Sequence, residues 1–223
     1  MLPRVILHNA LSVDGRYDWL KPDLAQFYGQ ASRWKEDATL AGSDTMIAAL
    51  GDMPADDLDV PAPQIEIDPE DKRALLIVPD SRGRIRCWNQ VRKWPYWRDV
   101  VVLCSGSTPE DYLDYLQKVH VDHIIAGHGQ VDLKAALEEI NARYGIEMVR
   151  VDSGGALNGV LLRSGLVDEV SVMIEPCLVG GMTPCSIFRA PDLTSDEGSI
   201  PLRLIQMEKL KGEAVWLYYE VVK

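Results

Sequence analysis

The sequence predicts an α/β protein: a mixed sheet of about nine strands with helices on both faces and an antiparallel hairpin at its C-terminal end. Three observations carry this. Short β-branched and apolar runs alternate with stretches of helical periodicity through most of the chain. One stretch, Val149 to Met173, reads completely as strand, glycine turn, helix, second turn and strand. Two further runs, Pro201 to Leu210 and Ala214 to Val222, flank Lys211-Gly-Glu, a hairpin turn. No linker or internal repeat divides the 223 residues, so residues 1–223 are expected to form one domain.

Arg4 to Ala10, with β-branched Val5 and Ile6, opens the chain as a strand. Asp14-Gly15 then marks a turn. Ser12 and Asp14 are two residues apart and project to the same side of an extended backbone. Asp23 to Trp34 predicts a helix. Its positions Leu24, Phe27, Tyr28, Ala31 and Trp34 form a packing face, and Arg33 and Lys35 are cations within reach of a substrate phosphate or simply solvated. Ala38 to Ala41 is a short strand ending at Gly42, with a helix capped near Ser43 or Asp44. Residues 51–71 are acidic and Pro-rich, the composition of a lid or binding loop.

Ala74-Leu-Leu-Ile-Val78 suits a central parallel strand. Trp88, Trp94 and Trp97 form an aromatic cluster, either a packed loop or a dimer surface. Val100 to Cys104 is another buried strand, and Thr108-Pro109 reads as cap and first residue of the next helix. His123 to Ala126 is a strand, and Asp132 caps the helix running to Tyr144. Val149 and Val151 then lead into Ser153, Gly154 and Gly155. Adjacent glycines allow a tight turn and the close approach of a ligand. A helix N-terminus following such a turn suits a phosphate. A plain strand–helix connection fits these residues equally well. Ala156, Leu157, Val160 and Leu161 share one helical face, and Gly165 ends the helix. Glu169 to Ile174 is the next strand, and residues 182–199 are loop.

Lys and Arg number 23 against 34 Asp and Glu, a net charge of −11, which argues against nucleic-acid or anionic-membrane partners. A bound phosphate must then be held by local N–H groups and a few cations. No apolar run reaches the length of a membrane span, and the first residues lack the pattern of a signal peptide, so the expected location is the cytoplasm. Cys87, Cys104, Cys177 and Cys185 are scattered and read as reduced thiols. His120, His123 and His128 lack convergent acidic partners, so no metal is expected.

Asp152-Ser-Gly-Gly-Ala-Leu-Asn158, Gly165-Leu-Val-Asp-Glu169 and Pro176-Cys-Leu-Val-Gly-Gly181 together resemble the RibD C-terminal family, the reductases of riboflavin biosynthesis, which are related to dihydrofolate reductase. Ser12-Val-Asp-Gly15, Gly42 and Thr45, Asp80 and Ser81, and Gly127 with Val131-Asp-Leu133 extend the resemblance. It covers about Arg4 to Val222 and implies a dihydrofolate-reductase-like three-layer sandwich using NADPH. The implied reaction carries hydride to the opened ribose C1 of a diaminopyrimidinone ribosylamine 5′-phosphate, giving a ribitylamino product. On this resemblance Gly42, Thr45, Asp80, Ser81, Arg82, Gly127, Ser153, Gly154, Gly155, Ala156 and Leu157 contact the cofactor. His8, Asn9, Ser12, Arg33 and Asp152 contact substrate, Ser12 and Asp14 are catalytic candidates, and Arg82 and Arg84 are candidates for the 2′-phosphate. A homodimer is expected.

The chain departs from the family in Asp152 for Glu, in Ser153 before the glycine pair, and in lacking the Arg that follows the Thr45 helix. Asp56-Asp57 resembles a displaced acidic pair. The departures leave two alternatives: a same-fold reductase of a pterin-like or small carbonyl substrate, and a non-catalytic dinucleotide-binding protein. The zinc motifs of a deaminase domain, His-x-Glu and Pro-Cys-x-x-Cys, do not occur.

Overall fold

The structure is a computed structural model that describes residues 1–59, 71–182 and 186–223. In chain order its elements are β1 (Arg4–Ser12), α1 (Leu24–Ala31), β2 (Ala38–Leu40), α2 (Ser43–Leu50), β3 (Ala74–Pro79), α3 (Trp88–Val91), β4 (Trp97–Cys104), α4 (Glu110–Lys118), β5 (Asp122–Ile125), α5 (Leu133–Tyr144), β6 (Met148–Val151), α6 (Gly155–Arg163), β7 (Glu169–Glu175), β8 (Leu202–Lys209) and β9 (Val215–Val221). These nine strands form one mixed sheet. The chain divides into two compact units, residues 1–3 with 37–149 and residues 4–36 with 150–223.

In the first unit the strands run β5-β4-β3-β2, and each neighbouring pair is parallel. Leu75 to Val78 and Val100 to Cys104 are buried without interruption, as strands covered on both faces must be. Trp88, Tyr112, Tyr115 and Leu116 pack with Leu76, Val78, Val100 and Val102 in one core. Of the tryptophan cluster, Trp88 is fully buried on α3, and Trp94 and Trp97 are partly buried against the same core. A short helix was not legible there, because its four residues are too few to show a period.

Two caps sit elsewhere than the sequence suggests. Gly42, not Ser43 or Asp44, is the N-cap of α2, and those two side chains instead accept from Arg84 at 2.6 and 2.7 Å. Thr108 turns its hydroxyl back to the Ser105 N–H at 2.9 Å, and Pro109 occupies the N-cap of α4. Asp132 caps α5 as expected, through the Ala135 N–H. Of the acidic loop, residues 60–70 lie outside the described residues. Asp56 is anchored, accepting from the Asn89 N–H and the Tyr115 hydroxyl.

In the second unit the order is β1-β7-β9-β8. β1 and β7 are parallel, while β7–β9 and β9–β8 are antiparallel. The hairpin turns at residues 211–213, with Gly212 at φ 71°. β1 and β7 match residue for residue, His8 opposite Ser171, Ala10 opposite Met173 and Ser12 opposite Glu175. Phe27 of α1 closes over this ladder with Met173, Ala214 and Ala10. Asp23 caps α1 through the Ala25 and Gln26 N–H groups. Gly165 follows α6 at φ 66°, in the left-handed region that favours glycine. Residues 183–185, which include Cys185, lie outside the described residues.

The Tyr112 hydroxyl ties the first unit's core together. It accepts from Trp88 Nε1 at 3.0 Å and donates to the buried Asp80 Oδ2 at 3.0 Å. Tyr112→Phe leaves a buried indole N–H without its acceptor and removes a donor from a buried carboxylate. We expect a loss of about 1–3 kcal/mol in urea unfolding, with the strand and helix content unchanged by circular dichroism.

Candidate active site

Val149 and Val151 bury the end of β6 and aim the chain into Asp152, Ser153 and Gly154. The Ser153 carbonyl accepts two side-chain amides, from Asn9 Nδ2 at 2.8 Å and Asn158 Nδ2 at 3.1 Å. Asn158 Nδ2 also donates to Asn9 Oδ1 at 2.9 Å. Asn158 is wholly buried. A β1 residue and an α6 residue thus clamp the turn between β6 and α6. The role of Asn158 in this clamp was not legible in the sequence, although it closes the motif that begins at Asp152.

Gly154 is the N-cap of α6 and no side chain caps the helix. The N–H groups of Gly155, Ala156 and Leu157 have no acceptor among the described residues. Such a donor set with the positive end of the helix dipole fits an anionic diphosphate. The two glycines differ in purpose. A Cβ on Gly154 would meet nothing nearer than the Tyr17 hydroxyl at 4.0 Å, so this position is open to a ligand. A Cβ on Gly155 would overlap the Ser186 carbonyl oxygen and lie 2.7 Å from Arg189 Cγ. The close approach at Gly155 is by the protein's own chain, fixed by the Arg189 N–H donating to the Gly155 carbonyl. Gly159 is small for the same reason, since its Cβ would overlap the Arg189 carbonyl.

Asp152 stands at the entrance to this turn with its side chain 30% exposed. Arg150 Nη1 donates to it at 3.1 Å, and Arg150 Nε pairs with Glu36 at 2.7 Å. Burial alone would lower the Arg150 pKa, but the Asp152 and Glu36 carboxylates outweigh it and hold the guanidinium charged. Tyr28 Oη lies 3.5 Å from Asp152.

At the end of β1, Ser12 is buried and donates to Asp14 at 2.6 Å. Asp14 also accepts from the N–H groups of Val179 and Gly180. The Ser12 hydroxyl and these two amides hold the Asp14 pKa down at about 2. Asp14 is therefore an ionised acceptor that fastens the 177–180 turn, and it is no acid near neutral pH.

His8 does not line a reacting centre. It is fully buried, its Nδ1 paired with Ser171 Oγ at 2.9 Å and its Nε2 with the Phe27 carbonyl at 3.0 Å. Burial pushes its pKa down to about 4, against the Phe27 carbonyl, which raises it, and with the help of Arg150. His8 is a neutral core residue. Arg33 pairs with Glu208 at 3.0 Å and lies 4.7 Å from the Trp216 ring centroid.

In the first unit, Gly42 and Thr45 follow β2, and Asp80, Ser81 and Arg82 follow β3, all beyond the carboxyl ends of adjacent parallel strands. Ligands of open α/β sheets bind at that edge. Thr45 and Ser81 are half-buried and Arg82 is exposed. Asp80 is instead an interior group. It is 1% exposed, accepts from the Ile85 N–H and the Tyr112 hydroxyl, and so turns its carboxylate into the core. Gly127, at φ 80°, is required by its own turn, where a Cβ would overlap the Gln130 carbonyl. Among the described residues no group of three or more His, Cys, Asp or Glu is placed to hold a metal. No helix among them is long and apolar enough to cross a membrane.

The architecture is that of the dihydrofolate-reductase-like α/β proteins. Enterococcus faecalis dihydrofolate reductase complexed with NADP(H) superposes with a TM-score of 0.50 at 10% identity, over 99% of this chain and 97% of that one. Acinetobacter baumannii RibD superposes with a TM-score of 0.72 at 21% identity, over 99% of this chain and 58% of that one. The chain belongs to the RibD C-terminal domain family, whose pattern it matches over residues 3–216. The 2,5-diamino-6-ribosylamino-4(3H)-pyrimidinone 5′-phosphate reductase of Methanothermobacter thermautotrophicus is 27% identical over 227 residues, covering 99% of each chain. The riboflavin biosynthesis protein RibD of Actinobacillus pleuropneumoniae is 26% identical, and this chain spans 57% of its length.

The glycine pair is separable by mutation. Gly155→Ala forces the 186–189 segment off α6 and is expected to cost ~2 kcal/mol in chemical unfolding. Gly154→Ala stays within about 1 kcal/mol of the parent chain in the same assay, since its φ of −87° is ordinary and the space is open.

His8 makes stability depend on pH. Its folded pKa, about 4, lies below the ordinary value of 6.5. The unfolded chain thus binds the proton first, and the stabilising share present above pH 6.5 is lost as pH falls towards 4. The full share is about 3 kcal/mol. Urea unfolding at pH 7 and pH 4.5 should show a smaller acid-induced loss in His8→Gln than in the parent, by roughly 2–3 kcal/mol.

Proposed function

We propose that this chain is an NADPH-dependent reductase of the riboflavin-biosynthesis type. Its substrate is a diaminopyrimidinone ribosylamine 5′-phosphate, whose opened ribose C1 is reduced to give the ribitylamino product. The observation that carries the reading is the clamped turn at Ser153, with an uncapped helix N-terminus after it and a partly exposed carboxylate before it. The name of the M. thermautotrophicus relative, which matches over nearly its whole length, supports it.

Ser153, Gly154, Gly155, Ala156 and Leu157 bind the diphosphate through backbone N–H groups, so a chain of net charge −11 needs few cations to hold it. Gly42, Thr45, Ser81 and Arg82 contact the nucleotide, Arg82 matching a 2′-phosphate. When bound, the reduced dinucleotide supplies the hydride. Asp152, paired with Arg150, accepts hydrogen bonds from the amino groups of the pyrimidine. Ser12 and Asp14 hold the turn at residues 177–180 beside the reacting carbon. Residues 1–223 act as one reductase domain in the cytoplasm. The exposed Leu202, Leu204, Ile205 and Met207 on edge strand β8 support a homodimer, because an apolar edge is a ready pairing surface.

Freshly generated ribosylamine phosphate should drive oxidation of NADPH, followed by absorbance, with the ribitylamino product identified by mass. Asp152→Asn should raise KM for the pyrimidine about tenfold or more while NADPH affinity holds. NADPH binding without turnover on this substrate would overturn the substrate assignment.

A further inference from the structure

The reduction adds a hydride to carbon and a proton to the neighbouring nitrogen. Something must deliver that proton, and the groups described above do not. Asp14 stays ionised, the Ser12 hydroxyl is committed to Asp14, and His8 is sealed in the core.

We infer that Glu175, the last residue of β7, is the proton donor of the proposed reaction, an assignment that rests on the reading given above. The parallel register sets Glu175 directly opposite Ser12. The two belong to the same ladder as His8 with Ser171 and Ala10 with Met173, so their side chains share the sheet face that α1 covers. Theirs is the final rung, at the carboxyl ends of two parallel strands, where ligands of α/β sheets are met. Oε1 of Glu175 is shut off from solvent and has no hydrogen-bond partner among the described residues. A carboxyl oxygen left unpaired in this way is costly as an anion and acceptable as an acid. The turn that follows, Pro176 to Gly180, is the one Asp14 fastens, so the donor sits beside an ordered segment.

The surroundings favour the protonated form. Burial raises the Glu175 pKa, and the negative charge of Asp23 at the N-cap of α1 adds to it. Asp14 lies in the turn that follows Ser12, and the charge of Lys211 acts on Asp23. β9 places Val215, uncharged, beside Ile174.

The step balances. The Glu175 O–H bond breaks and an N–H bond forms on the imine nitrogen of the opened ribosylamine. The hydride then forms the C–H bond at C1, and the C=N π pair becomes the nitrogen lone pair. The imine is reduced to the amine as the dinucleotide is oxidised, and the Glu175 carboxylate recovers its proton from water.

The test compares the parent chain with Glu175→Gln and Glu175→Asp. Turnover of the ribosylamine phosphate, NADPH affinity by fluorescence, thermal stability and the carbon-13 titration of the Glu175 carboxyl are measured. Glu175→Gln should lower kcat about 100-fold at pH 7, keep NADPH affinity and melting temperature, and lose the decline of parent kcat as pH rises through the Glu175 pKa. Glu175→Asp should retain part of the rate and the same pH limb. In the ligand-free parent, the Glu175 carboxyl should titrate above the ordinary value of 4.5. An unchanged kcat and pH profile in Glu175→Gln overturns the assignment, as does a loss of rate that comes with a lower melting temperature and the parent's pH limb. A parent chain that turns over none of this substrate instead overturns the reaction on which the assignment rests.

Discussion

The Ser153 carbonyl is the point on which the turn between β6 and α6 depends. It takes two side-chain amides at once, one from β1 and one from α6. A carbonyl has two lone pairs, and here both are satisfied inside the protein. That arrangement fixes the direction in which the chain leaves β6 and enters α6. The first-turn N–H groups of α6 then have no side chain to cap them among the described residues. An uncapped helix start is unfavourable by itself, by about 1 kcal/mol relative to a good cap. In the proposed function that is the cost of leaving these donors to a ligand.

Around the same unit, three carboxyl groups are sorted by environment. Asp14 meets a hydroxyl and two amides and is strongly acidic. Asp152 meets an arginine that is itself buried between two carboxylates. Glu175 meets no donor on one oxygen among the described residues and a negative neighbour nearby. In the proposed reaction, environment rather than residue type separates the roles of organiser, binder and acid. The buried, neutral His8 completes the contrast, since its ring spends both nitrogens on the packing of β1 against β7 and α1.

Much of the fold was legible because the signals are local. Nine strands, the hairpin around Gly212, and the Asp23 and Asp132 caps follow from periodicity and turn chemistry in short windows. What escaped was decided by distant partners. Ser43 and Asp44 read as caps, but Arg84, some forty residues away, takes both. The missing Cβ of Gly155 reads as room for a ligand, yet the segment at Ser186 to Arg189 fills that room and leaves only the N–H to a ligand. Asp80 and His8 carry chemistry by type, and only burial reveals them as interior groups. Asn158 entered only as the last residue of a motif, because its partner Asn9 comes from a distant part of the chain.

Amide hydrogen exchange with and without NADPH measures the uncapped N–H groups at the start of α6 residue by residue and tests the proposed diphosphate site most directly. Exchange at Gly155, Ala156 and Leu157 should slow on addition of NADPH, while the buried strands of the same unit change little. If saturating NADPH leaves those three amides exchanging as before, the diphosphate is not held at this turn, and the functional reading of the clamp is contradicted.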